Sequence, residues 1–164
     1  MIQLCLLKNY RTIEMMKISD ALNEEELSRL SSHTVKIGDV YEMTMTEANG
    51  IKPKAGDSSR GKYFIVLGFD SNGIAYGGVI INSQINRNLP AHLKMYHMPI
   101  KQSKYPFLRY DSFVDCVRLK VAYPQKFNEW NYLGEIDDYD VELIIGTVKE
   151  SPAESEERLA QFGL

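Results

Sequence analysis

Residues Lys62–Ile81 read KYFIVLGFDSNGIAYGGVII, and this stretch decides the fold class. Tyr63, Phe64, Ile65, Val66 and Leu67 form an aromatic and β-branched run, apolar on both faces, within a strand predicted over Lys62–Phe69. Ser71-Asn72-Gly73 is a hairpin turn signal, and Ile74–Ile81 returns as the partner strand. Gly77-Gly78 in the middle of that partner predicts a bulge or sharp bend, the device with which small barrels turn their corners.

Outward from the hairpin the pattern stays β-rich. Gly38-Asp39 opens a strand over Val40–Met45, in which Val and Met alternate with polar neighbours. Thr46–Gly61 is too long for a tight turn, and loops of that length in compact domains commonly carry function. Met95–Pro99 reads as a short strand and Ser112–Val121 as a long one, while Tyr105-Pro106 argues against helix between them. Asp137 caps a helix that uses Val141, Ile144, Ile145 and Val148, and Ser151-Pro152-Ala153-Glu154 reads as the capping box of a last helix using Leu159 and Phe162. Asn23 followed by Glu24–Glu26 predicts a brief helix ending near Ser31–His33. The expectation is a mainly β domain with helices: four or five strands in a small, strongly bent barrel with a C-terminal helical element. A doubly wound parallel sheet is not expected, because loops rather than helices join the central strands. In domain terms, residues 1–17 read as a disordered or misassigned N-terminal extension. Residues 18–150 then form the barrel domain with flanking helices, and 151–164 the C-terminal helix.

The 164 residues are 44% apolar and 25% charged, which suits one globular domain with a real core. No apolar run is long enough to span a membrane, and the start lacks the marks of a secretory signal. Cys5 and Cys116 share no motif, so neither a disulfide framework nor a thiolate zinc site is expected, and a reducing cytoplasm is the expected location. The net charge of −3 conceals an asymmetry. Between Arg87 and Lys120, seven Lys/Arg stand against two Asp, whereas from Glu129 onward ten acids stand against two bases. A basic middle in an acidic chain suits a phosphate-bearing partner if the charges also cluster in space.

Walker, Rossmann, HExxH, GxSxG and deaminase patterns are all missing. His92 and His97 have no acidic or thiol companion nearby in sequence and read as polar surface residues; no metal and no cofactor are expected. Polar residues at strand ends remain. Counting from the turn, Arg60 and Ser83 fall on the same end of the hairpin, with Asn82 and Gln84 beside Ser83. A guanidinium near a hydroxyl and two amides can grip a phosphate, with Lys62 and Arg87 as further substrate-binding candidates. The same grouping also describes an ordinary polar strand edge.

These residues carry a resemblance to the MazF/PemK-type toxins. That family opens with Gly-Asp and a strand, as at Gly38-Asp39-Val40, and its loop ends Ala-Gly-x-Arg-Pro, to which Ala55-Gly56 and Arg60 are similar. Ile80-Ile81-Asn82-Ser83-Gln84 resembles the element closing the next strand with a threonine or serine. Asp115-Cys116-Val117 resembles the Asp-Gln-Val strand, and Gly134-Glu135-Ile136 leading into Val141 resembles the last helix. Gly61 stands in place of the proline, and a strict alignment sets Asn82 at the hydroxyl's position with Ser83 one residue later. The resemblance implies an SH3-like barrel and a homodimer acting in a toxin–antitoxin pair with a cognate antitoxin. It further implies a metal-independent endoribonuclease that cleaves single-stranded RNA through attack by the substrate's own 2′-OH. Arg60 would serve as acid and anion clamp, and Ser83 as hydroxyl donor. Two other readings fit the same chain: a catalytically silent module binding a protein or nucleic acid, and a CcdB-like toxin acting on a protein target.

Overall fold

The computed structural model describes residues 35–73, 75–123 and 129–164; the brief helix expected after Asn23 and the extension at 1–17 lie outside them. Six strands form one antiparallel sheet: β1 (Asp39–Met45), β2 (Arg60–Phe69), β3 (Tyr76–Asn82), β4 (His97–Ile100), β5 (Ser112–Ala122) and β6 (Asn131–Glu135). Their order is β4-β5-β3-β2-β1-β6. The protein is mainly β, and the sheet is bent but open, since no ladder joins β4 to β6 among the described residues. A short α1 (Ala91–Lys94) precedes β4, and α2 (Asp138–Glu150) and α3 (Glu156–Gln161) follow β6. Four or five strands were expected; β6 is the additional one. Its sequence NYLGE is largely exposed, and Gly134 at φ 153° interrupts it, so it carries neither an apolar run nor strict alternation.

The bend is written in glycine. The β2–β3 ladder slips register between Val66 and Gly68, and the β3–β5 ladder slips between Gly78 and Ile80. A Cβ at Gly78 would overlap the carbonyl oxygen of Ile65 and lie 2.6 Å from the Phe64 ring, so the two main chains approach as closely as they do only because Gly78 has no side chain. Gly68 and Gly77 clear a flat patch on which Phe162, at the end of α3, lies; a Cβ at Gly77 would sit 2.5 Å from its ring. Phe162 thereby joins Leu159, Val141, Ile144 and Val148 against Ile65, Leu67, Val79, Ile81 and Val114 in the core. Cys116 is in this core as the sequence predicts, and burial pushes its thiol up to about 12, leaving it un-ionised.

Asp137 caps α2 as expected, accepting a hydrogen bond from the Asp140 amide at 2.8 Å. Its carboxyl is held below the usual carboxylate range, first by Lys104. Ser151 does not cap the last helix; Ser155 does, accepting from the Arg158 amide. The residues that match the capping pattern serve β5 instead. Where β5 slips register it needs partners for its main chain, and residues 151–158 supply them. Ser151 Oγ donates to the Val117 carbonyl (2.6 Å), Glu154 accepts from the Leu119 amide (2.7 Å), and Arg158 donates to the Leu119 carbonyl (3.0 Å). Arg118 returns a bond to the Ala153 carbonyl at 2.9 Å. Ser151→Ala removes a buried donor and strands a carbonyl, so a loss of about 1–2 kcal/mol is expected in urea unfolding, with an unchanged m value.

Candidate functional site

Residues paired across antiparallel strands share a face of the sheet. Val40, Ile65, Val79, Ile81 and Val114 thus share the face that carries the helices, and Tyr41, Phe64, Ile80 and Asp115 share the other. Along β2 this second face runs from buried Val66 and Phe64 to half-buried Lys62 and then exposed Arg60. On β3 the corresponding polar residue is Asn82, which lies opposite Phe113 of β5. Lys62 donates a short hydrogen bond to the Asn82 side-chain oxygen. The register therefore groups Arg60, Lys62 and Asn82. Ser83 falls in the bend just beyond β3 and is exposed there, with Gln84.

All of them, together with Arg87, line one groove of about 1030 Å³. Its walls carry Arg60 and Lys62 from β2, Arg118 and Lys120 from β5, and Lys52, Arg87 and Arg109 from loops. Only two carboxylates, Glu42 and Asp115, oppose these seven cations. The long loop between β1 and β2, residues 46–59, forms one wall through Gly50, Ile51 and Lys52. Its 3₁₀ turn at Glu47–Asn49 is fixed by a 2.8 Å bond from the Asn49 side-chain amide to the Val121 carbonyl, and Ile51 is buried. The remaining basic residues of the middle segment are engaged elsewhere. Lys101 pairs with Asp111 (2.9 Å), Lys104 bridges Asp137 and Asp140, and Lys94 donates to the Arg87 carbonyl.

Crowding of like charge has a chemical effect. Burial first, and then the Arg60 charge, pushes the Lys62 ammonium down to about 8, against a smaller opposing pull from Asp115. Lys120 is lowered chiefly by burial as well. Lys62 forms no ion pair among the described residues; its bond is to the neutral Asn82. The groove thus holds a fixed cation, Arg60, beside a lysine poised to gain or lose a proton near neutrality.

His97 is the residue that sequence reasoning placed wrongly. It sits on β4 opposite Asp115, its side chain only 3% exposed, with Nε2 3.7 Å from the Asp115 carboxylate and Nδ1 3.2 Å from the Lys94 carbonyl. No spacing rule finds such a pair, because β4 is four residues long and its partner lies on another strand. His92 is exposed on α1, as expected. Among the described residues, no three His, Cys, Asp or Glu side chains converge as metal ligands would. No helix there is long and apolar enough to cross a membrane.

No protein-family model matches this chain, and no curated protein does either.

Proposed function

We propose that this protein is a metal-independent endoribonuclease, which binds single-stranded RNA in the groove and cleaves it through the 2′-OH of the substrate. One observation carries the reading: seven Lys/Arg side chains against two carboxylates in a single groove of a chain whose net charge is −3. Single strands leave the 2′-OH free to approach in line with the scissile bond. In the step itself the 2′-oxygen forms a bond to phosphorus and the bond from phosphorus to the 5′-oxygen breaks, leaving a 2′,3′-cyclic phosphate and a 5′-hydroxyl. The 2′-proton leaves to a base and the 5′-oxygen takes a proton from water. Such a reaction asks for positioning and for cations aimed at the phosphorane oxygens more than for a protein nucleophile.

Arg60 is suited to the anion and not to the proton, because a guanidinium does not deprotonate. Lys62 is suited to accept the 2′-proton, and Asn82 orients it. With its pKa lowered from 10.5 to about 8, Lys62 is neutral in about a tenth of molecules at pH 7 and in about half at pH 8. The expected kcat/KM therefore rises with pH and levels off above about 8. Lys62→Arg should keep RNA binding while losing both the rate and the rise. A full rate in Lys62→Arg, with the same pH profile, would remove Lys62 from proton transfer.

The test of the reading itself is cleavage of a long single-stranded RNA in EDTA, with products checked for cyclic phosphate ends. Absence of cleavage by the folded protein would favour the silent binding module. That second reading draws on one observation: the face shared by Arg60 and Lys62 presents the Asn82 amide where a hydroxyl was expected.

The toxin–antitoxin role and homodimer belong to this proposal only through the MazF/PemK resemblance, and the cytoplasmic location through the cysteine usage alone. Co-expression with a neighbouring small acidic protein, and growth arrest without it, would test them together.

A further inference from the structure

We propose that Tyr110, at the rim of the groove, is a stacking platform for one unpaired base of the RNA; this rests on the reading of the groove as an RNA site. Tyr110 is 56% exposed, and it lines the same groove as Arg60 and Lys62. Arg109 precedes it in the same wall, so a phosphate contact and an aromatic face stand side by side. That pairing of cation and ring is how sequence-tolerant single-strand sites are built, because every base offers a π-face once it is unstacked.

The loop that presents Tyr110 is fixed before any ligand arrives. Asp111 accepts from Lys101 Nζ (2.9 Å) and from the Gln102 amide (3.0 Å), and Gln102 Nε2 donates to the Arg109 carbonyl (3.2 Å). Ser112 Oγ donates to the carbonyl of Tyr110 itself at 2.9 Å. Immediately before Arg109 the loop is anchored by Leu108, 2% exposed, and further back by Tyr105, whose hydroxyl donates to Asp140 at 2.6 Å. An exposed ring on a pinned loop loses little conformational freedom when a base stacks on it. Among the described residues it is the main chain of Tyr110, not its side chain, that makes the structural bond. Stacking also predicts a preference for single strands, since duplex bases already cover one another.

The experiment is fluorescence anisotropy of the full chain with a labelled ten-nucleotide 2′-O-methyl RNA of mixed sequence, which cannot be cleaved by 2′-attack. A matched oligomer with abasic positions serves as the second probe. Tyr110→Ala should weaken binding of the intact oligomer by roughly five- to a hundred-fold, and Tyr110→Phe should not. The slope of affinity against salt should be unchanged in Tyr110→Ala, because no phosphate contact is lost, and should fall in Arg60→Ala. On the abasic oligomer, wild type and Tyr110→Ala should bind alike. Equal binding of the intact oligomer by wild type and Tyr110→Ala would overturn the inference while leaving the RNA site standing. An equal loss on both oligomers would overturn it too, by placing the contact on the backbone. Failure of wild type to bind either probe would overturn the RNA reading and the inference with it.

Discussion

Gly78→Ala is expected to destabilise the domain by at least about 3 kcal/mol, the scale of a steric clash that the backbone cannot relieve. The added methyl would meet the main-chain oxygen of Ile65 and the ring of Phe64 on the neighbouring strand. Neither can retreat. Ile65 is paired with Val79 and wholly buried, and Phe64 is buried between its own neighbours. The register slips at Val66/Gly68 and Gly78/Ile80 lie on either side, so moving the strand apart would undo both. For a domain of this size the shift corresponds to a fall in Tm of about 10 °C or more. Gly61→Ala is the matched control: a Cβ there meets nothing within 4 Å and its φ is unremarkable, so its Tm should stay within about 2 °C of wild type. Equal stability of the two variants would mean that the bend does not depend on this close approach.

Arg60→Ala is expected to lower kcat for RNA cleavage by roughly a hundred- to a thousand-fold, the usual cost of removing one donor aimed at a developing oxyanion. Thermal stability should hardly move, because Arg60 is exposed at the first position of β2 and makes no ion pair among the described residues. The loss of charge has a second effect that separates it from simple unfolding. Arg60 is, after burial, the strongest influence depressing Lys62, so its removal should move the alkaline inflection of kcat/KM upward from about 8. Activity measured at pH 7 and at pH 9 would reveal that displacement. Retention of full activity by a folded Arg60→Ala protein would take Arg60 out of the chemistry.

The parts of this molecule that were legible in the sequence are those governed by local rules. The β2–β3 hairpin could be read because a continuous apolar run, a turn signal and paired glycines lie within twenty residues, and the cap at Asp137 because capping is decided within four. Ser151 matched the same local pattern and misled, since its hydroxyl is claimed by Val117, which is 34 positions away. β6 was missed because an exposed edge strand needs no apolar alternation. For the site, counting from the turn brought Arg60 and Ser83, with Asn82 and Gln84, to one end, but the face on which Ser83 falls turns on a single step of register, and it is Lys62 and Asn82 that meet. The basic middle was visible as composition. Only Arg87, Arg109, Arg118 and Lys120 from it reach the groove, while Lys52, Arg60 and Lys62 arrive from outside it. Which charges converge is a property of strand order, and strand order is not written locally.

The bonds from residues 151–158 to the irregular part of β5 bear on how any mutational scan of this protein should be interpreted. Glu154 and Arg158 grip Leu119, the residue between Arg118 and Lys120. A variant at Glu154 would let that segment drift and carry two groove cations with it. The scan would score the position as a binding-site hit, although its carboxylate is committed to the Leu119 and Ser155 amides and to Arg158. Salt slopes measured on such variants would separate displaced charges from deleted ones, since a displaced cation still contributes at long range and a deleted one does not.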